Sequence, residues 1–392
     1  MKTQSPSPYL LGLLPLIALA VVSQLYVLLP VTALLAGSLG VSEGQASGLS
    51  TIFSIGYASG MLVWGVLSDR YGRRRVLMLG MSCLLWLTLL QTWVESWQSL
   101  LVLRGAQGFF AATFAPVIMV WLAENVALPQ RLSVIAYLSC AFLLAGVLGQ
   151  SMGAWLIIDD LKTLMWVFAG CYALALVVIG RLPAPLRRPK EPPRISDLIK
   201  SLPTLLVHPK LRALYLTSLL LLWTFVVIYV WLTQHRDTGL SQMGLSIGLV
   251  RSIALPAMLL TLNSVWLIRR IGAERVLIGS IVVMMLSLPF QYVSVQMLWP
   301  SGLLLGHFVY VAALAYCLPC LIATVGQQAQ SIQTERLSNV QGSAVSMYAF
   351  LLFIGTSLGA YLPNVWPIEW VFGVLMLGFL AAAVLLYRGS GR

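Results

Sequence analysis

The chain is a succession of long apolar stretches broken by short polar ones. Runs of spanning length lie near residues 9–36, 47–67, 76–94, 99–122, 133–157 and 164–182. A second set lies near 211–234, 245–267, 276–295, 299–325, 339–362 and 367–387. A helix needs about 20 apolar residues to cross a bilayer, so each run predicts one transmembrane span. A closed β-barrel would need alternating segments of about 10 residues, and continuous apolar runs such as Ala213 to Val230 argue against it. Between the two sets, 183–210 is rich in proline, arginine and lysine (Pro183, Pro185, Arg187, Arg188, Pro189, Lys190, Pro192, Pro193, Arg194) and cannot span. The pattern predicts an all-α membrane protein of twelve transmembrane helices in two bundles of six. The expected divisions are an N-terminal bundle over 1–182, a cytoplasmic linker over 183–210 and a C-terminal bundle over 211–392. Within the linker, Ile195–Leu206 is expected to form a short surface helix.

Composition agrees. Of 392 residues, 59% are hydrophobic and only 9% are charged, where a soluble domain carries about 25%. So few charges cannot clothe a soluble surface, which excludes a water-soluble enzyme, a disordered chain and a collagen-like fibre. The net charge of +12 would suggest nucleic acid in a soluble domain. Here the placement of the charges matters more than their sum. With the N-terminus in the cytoplasm, 20 of the 24 Lys and Arg fall on the cytoplasmic side. Lys162 and Arg236 fall outside, and Arg104 and Arg251 within spans. Positive-inside bias therefore puts both termini in the cytoplasm, and no nucleic-acid partner is implied. Tyr9 to Leu35 is too long for a signal-peptide core and reads as a retained first span. Five cysteines (Cys83, Cys140, Cys171, Cys317, Cys320) lie inside apolar segments and imply no disulfide framework.

The two halves repeat. A shift of 200 residues lays Asp69–Leu77 on Arg269–Leu277, the loops joining spans two to three and eight to nine. Gly149-Gln-Ser-Met-Gly153-Ala-Trp-Leu recurs as Gly355-Thr-Ser-Leu-Gly359-Ala-Tyr-Leu, 206 residues on. Arg131-Leu-Ser recurs as Arg336-Leu-Ser. Parallel six-span repeats suit a substrate site between two bundles that rock against each other.

The strongest local signal is Gly65-Val-Leu-Ser-Asp69-Arg70-Tyr-Gly72-Arg73-Arg74-Arg75. Gly72 permits a tight turn, and the arginines suit anionic lipid headgroups. An acid among four arginines at a helix end either pairs locally or caps the positive N-terminus of a neighbouring helix. The bland alternative, a plain basic anchor loop, explains the arginines but not Gly65, Asp69 and Gly72 together. The expectation is a conformational latch built from Gly65, Asp69, Arg70, Gly72, Arg73 and Arg74.

This loop resembles the signature loop of the major facilitator superfamily, at Gly65, Leu67, Asp69, Arg70, Gly72, Arg73 and Arg74. The resemblance extends over the chain: twelve spans, two halves, a basic central linker and a degenerate second copy at 265–276, where Arg269 stands in place of the acid. It implies the major facilitator fold and transport by alternating access. Arg104-Gly-Ala-Gln107-Gly108 in span four resembles the Arg-x-x-Gln-Gly segment of the drug–proton antiporter branch. Gly149-Gln-Ser-Met-Gly153-Ala154 resembles that branch's antiporter motif, with Gln150 replacing its proline and Ala154 its second glycine. Gly149, Gly153 and their twins Gly355 and Gly359 are expected to serve helix packing or a hinge.

A charge inside a span is costly and by default functional, which marks Arg104, although a structural arginine on helix-end carbonyls is the alternative. A proton-coupled carrier usually keeps an acid or histidine in a span, yet all twelve acids lie at or near predicted ends. His307 in span ten is the only histidine inside one, and it either titrates or stays neutral and bonded to a neighbouring helix. Glu124 with Asp69 and Arg131 is a second candidate relay. Without a buried acid, strongly cationic compounds fit poorly, and Arg104 and Arg251 favour neutral or anionic ones. Pocket candidates are Gln24, Tyr26, Phe110, Trp223, Tyr229, Tyr310, Tyr348 and Phe353; each alternatively faces lipid or the interfacial belt.

Other signals fail. Cys317-Leu-Pro-Cys320 has redox spacing but lies mid-span, where Pro319, parallel to Pro116 in span four, reads as a kink. No phosphate-binding loop and no metal-ligand cluster occurs, so no cofactor or metal is expected. The resulting expectation is a bacterial inner-membrane secondary transporter, not an enzyme, exporting small organic or drug-like compounds by proton antiport. Its expected partners are the substrate, protons and membrane lipids, and a monomer suffices. A sugar or metabolite transporter of the same fold, and a non-transporting membrane protein, are the rivals.

Overall fold

A computed structural model describes residues 6–156, 161–183, 203–234, 239–332 and 341–390. Among them no strand occurs. Ten helical stretches are long and apolar enough to cross a membrane. These are spans two (Glu43–Tyr71), four (Trp97–Asn125), five (Leu128–Leu156), six (Lys162–Gly180), seven (Pro209–Gln234), eight (Ile247–Ile271), nine (Ala273–Gln296), ten (Pro300–Ser331), eleven (Gln341–Tyr361) and twelve (Ile368–Ser390). Span three, Arg73–Leu90, is equally apolar after its three leading arginines. Span one departs from the continuous run expected over 9–36. It is helical over Pro8–Ser23, turns through 24–28, makes a 3-10 turn at Leu29–Val31 and resumes as Thr32–Leu39. Pro30, which has no N–H to give a helix interior, sits in that turn. Span four is likewise interrupted, between Ala111 and Phe114.

The ends are fixed by short-range chemistry. Ser42 and Gln45 form a reciprocal capping box at the start of span two, with bonds of 3.1 and 3.3 Å. The Ser96 and Ser246 hydroxyls accept from the Ser99 and Leu249 N–H groups at the starts of spans four and eight. Gly72 and Gly272 repeat one device: each ends one helix and starts the next, at φ 92° and 88°. A side chain would be strained at that φ, which is why the repeated loop keeps glycine in both copies while Asp69 is lost from the second.

Chain packing divides into two compact units. One comprises Met1–Ser201 with Gln333–Ser346, the other Leu202–Ile332 with Met347–Arg392. The first turn of span eleven thus groups with the first six spans. Of the surface helix expected over Ile195–Leu206, 195–202 lies outside the described residues, and 203–207 is helical.

Inside each unit the bundle core is apolar. Leu14, Phe53, Trp121, Phe168 and Tyr172 are buried in the first, Trp231, Leu277, Tyr310 and Phe379 in the second. Exposed tryptophans cluster near span ends, where Trp93 meets Trp166 edge-on at 6.4 Å, as befits a headgroup belt. All five cysteines are free. Span ten runs helical through Pro319 from Pro300 to Ser331 without a break.

Glycines set the closest approaches. A Cβ on Gly149 or Gly153 would run into the carbonyls of Ser23 and Val27 in span one. A Cβ on Gly355 or Gly359 would meet those of Leu219 and Trp223 in span seven. Spans five and eleven therefore lie backbone to backbone on spans one and seven at these four glycines. Within each half the two glycines stand at one constant step from the carbonyls they pack on, 126 residues after Ser23 and Val27 in the first and 136 after Leu219 and Trp223 in the second.

Candidate functional site

At the end of span two, Asp69 is buried and its side chain makes two sets of contacts. Its carboxylate accepts from the backbone N–H groups of Gly342 (3.2 Å) and Ser343 (3.1 Å) and from the Ser343 hydroxyl (3.2 Å). Those groups open the first turn of span eleven, whose unsatisfied N–H groups and dipole favour an anion. Asp69 also pairs with Arg73, one turn on, at 2.6 Å. Arg73 in turn bonds Glu124 from Nη2 (2.9 Å) and Nε (3.2 Å), and donates to the Ser68 hydroxyl at 2.6 Å. Gly65 completes the seam, because a side chain there would collide with Ser346 and the Gly342 carbonyl.

Of the residues expected to form the latch, Arg73 is buried as the bridge between two carboxylates. Glu124 is linked to Asp69 through Arg73, while Arg131 donates to the Ala123 carbonyl at 2.7 Å. The other arginines sit apart. Arg70 lies over the Tyr71 ring at 5.7 Å, and Arg74 donates to the Gly180 carbonyl at the end of span six. Gly72 supplies the turn between them.

Within the first bundle, Arg104 is fully buried. Nη1 donates to the side-chain oxygens of Gln24 (2.9 Å) and Gln107 (2.7 Å), and Nη2 to the Gln24 carbonyl at 3.0 Å. The guanidinium stands 4.3 Å over the Phe53 ring. Gln107 passes the network on to the Thr88 hydroxyl at 2.8 Å. Spans one, three and four are thereby tied together.

Within the second bundle, His307 is also fully buried. Its Nε2 lies 3.0 Å from the Tyr229 hydroxyl and its Nδ1 3.3 Å from the Gln291 carbonyl oxygen. The Gln291 amide nitrogen is committed to the Ser287 carbonyl, so its oxygen faces the ring and accepts. His307 therefore carries its proton on Nδ1 and accepts at Nε2 from the Tyr229 hydroxyl. Arg251 stands 5.5 Å from the Tyr229 ring.

The two networks are built alike. His307 follows Arg104 by 203 positions, as Pro319 follows Pro116 and Gln291 follows Thr88. Each buried basic side chain sits on the fourth span of its half; His307 bonds the first and third spans directly, and Arg104 bonds the first directly and reaches the third through Gln107. One half thus holds a permanent cation where the other holds a titratable ring.

The remaining candidates are less connected. The Tyr310 hydroxyl donates to the Leu221 carbonyl at 3.3 Å. Phe110 packs on Trp64 and Phe109. Trp223 lies under Gly355 and Gly359, and Tyr26 beside Gly146. Tyr348 is buried and Phe353 half-buried. Sequence reasoning missed Thr88, Gln291, Ser343 and Ser346, which are common neutral residues whose only distinguishing feature is what they touch.

Known proteins bear on this geometry. The chain is 22% identical to the uncharacterized MFS-type transporter YceJ of Bacillus subtilis, over 85% of this chain and 83% of that protein. It is 28% identical to multidrug resistance protein D of Escherichia coli over 52% of each. It is 33% identical to the chloramphenicol resistance protein CraA of Acinetobacter baumannii, over 35% of this chain and 33% of the other. The fold matches the proton:xylose symporter XylE, with a TM-score of 0.72 at 14% identity over 97% of this chain and 94% of the other. It matches the human organic anion transporter MFSD10 equally, at 20% identity over 98% and 100%. The family profile described as Major Facilitator Superfamily covers residues 14–360, and the chain belongs to that superfamily of transporters.

Proposed function

We propose that this transporter exports small amphipathic organic compounds from the cytoplasm across the bacterial inner membrane in exchange for protons, both termini lying in the cytoplasm. The observation that carries the coupling is His307. It is the one side chain in a described span whose ordinary titration lies near neutrality, and it is buried between Tyr229 and Gln291. A proton on Nε2 would oppose the donated Tyr229 hydroxyl, which must then rotate to accept. That rearrangement distinguishes two states of the half, as coupling requires. The contact of Asp69 with residues 342–343 serves as the latch that breaks and reforms as access alternates. Relatives whose names record drug resistance, matched over about a third and about half of their length, support export and a drug-like substrate.

The test is flux of a fluorescent amphipathic dye in proteoliposomes of the purified protein, with and without an imposed pH gradient. Accumulation driven by the gradient is expected. Flux indifferent to pH overturns antiport, and absence of flux over a panel of drug-like compounds overturns the substrate class.

A further inference from the structure

We infer that the Arg104–Gln24 cluster is an anion site, and that it holds the carboxylate of an organic monoanion; the inference rests on the transport reading above and narrows its substrate class. Arg104 is fully buried, yet every group it bonds is neutral: the Gln24 side chain and carbonyl, the Gln107 side chain and the Phe53 ring. Among the described residues no carboxylate pairs with it. Asp69 and Glu124 are held by Arg73, Glu95 by Lys162, and Glu369 accepts from Tyr292. Glu43 and Glu274 stand in the first turns of their own helices. A buried ion without a counter-charge costs several kcal/mol, a cost that a bound anion removes.

The hydrogen bonds point the same way. A guanidinium offers five N–H donors in a planar fork, and here Nη1 and Nη2 are engaged while Nε has no partner. The Nε–Nη2 edge is the one that grips a carboxylate side-on. The Ser23 hydroxyl, next in the chain to Gln24, is buried without a hydrogen bond, and the Gln24 side chain also faces the buried Tyr172 hydroxyl. These polar atoms come from spans one, four and six, and donors predominate among them.

The backbone gives an independent pointer. Span one leaves its helix at this place: Ser23 is the last helical residue, and Gln24, whose carbonyl Arg104 takes, begins the turn of 24–28. Irregular backbone at membrane depth persists only where protein or a lined cavity satisfies it, and broken helices in transporters mark substrate sites.

The test uses the purified full chain in detergent, titrated with benzoate, with benzamide and with benzylammonium, reading the thermal unfolding midpoint. Benzoate is expected to raise the midpoint in a saturable way, and the other two to leave it unchanged. Gln24→Glu supplies an internal carboxylate. It is expected to raise the midpoint of the unliganded protein and to weaken the benzoate response at least tenfold, to about 1.4 kcal/mol less binding or worse. Equal responses to benzoate and benzamide, or a benzoate response unchanged in Gln24→Glu, overturn the site. Because unfolding is read without flux, a protein that binds benzoate but moves no dye leaves this site standing and fails the export reading alone.

Discussion

Asp69 and Ser343 are 274 residues apart in sequence, yet the Asp69 carboxylate accepts both the backbone N–H and the hydroxyl of Ser343, at 3.1 and 3.2 Å. A single acid therefore ties the end of span two to the start of span eleven, and it does so through the helix terminus rather than through a basic partner on that helix. The anion is stabilised there by unpaired N–H groups and by the end of the helix dipole. Arg73 holds the same carboxylate from its own side.

Asp69→Asn keeps the shape but removes the charge and turns one oxygen into a donor facing N–H groups. Bonds to a charged group contribute about 1.5–3 kcal/mol each, so loss of one changes a conformational equilibrium by roughly tenfold or more. Dye efflux by Asp69→Asn is expected to fall at least about tenfold, with normal insertion judged by yield and monodispersity. Full efflux by the variant would remove the latch from the cycle.

His307→Gln separates coupling from binding. Glutamine can still accept from Tyr229 and donate to Gln291, but it does not titrate in the working range. Accumulation driven by a pH gradient is expected to collapse, while substrate exchange across liposomes without a gradient persists. Gradient-driven accumulation at the wild-type level would assign coupling elsewhere.

The sign of a glycine-to-alanine change should depend on what the new methyl meets. Gly170 in span six and Gly373 in span twelve have open space, so alanine there gains helix propensity and is expected to be neutral or stabilising by up to about 1 kcal/mol. Gly355 lies against the Leu219 carbonyl, and a methyl there forces spans seven and eleven apart. Overpacking of this kind costs about 1–3 kcal/mol. Thermal unfolding of the four variants at Gly149, Gly355, Gly170 and Gly373 checks the split; a uniform response would discard the packing account.

The fold was largely legible because a bilayer leaves little choice. Spans must be apolar and about 20 residues long, and the duplicated loops at Gly72 and Gly272 display the repeat directly. The break in span one was hidden, since 24–28 contains no glycine or proline and only the tertiary bond from Arg104 to the Gln24 carbonyl shows what stabilises the turn. At the site, Asp69 stood out as an acid among arginines, and capping of a neighbouring helix was among its expected roles. Its partners did not stand out, because backbone N–H groups of Gly342 and Ser343 carry no sequence signal. Glu124, Asp69 and Arg131 were grouped as a candidate relay, whereas folding brings Arg73 to Glu124 across 51 residues. Arg104 and His307 were visible as rare polar residues in spans, and the bonds each one makes give their shared 203-residue offset its structural meaning.

Arg73 offers the sharpest comparison, because lysine preserves its charge but not its geometry. The guanidinium reaches Asp69, Glu124 and the Ser68 hydroxyl from three different nitrogens, Nη2 serving both carboxylates. An ammonium is one compact donor centre on a flexible stem and cannot occupy those positions together. In Arg73→Lys one buried carboxylate loses its partner, at a cost of about 3 kcal/mol when the group is buried, and less on the Glu124 side, which is a third exposed. Arg75, exposed at the same helix start, is the control, and Arg75→Lys is expected to shift stability by less than about 0.5 kcal/mol. Thermal unfolding in detergent measures both, and dye efflux should fall for Arg73→Lys alone. If the two lysine variants lose stability and efflux equally, charge at the loop suffices and the bridging geometry of Arg73 has no part in holding Asp69.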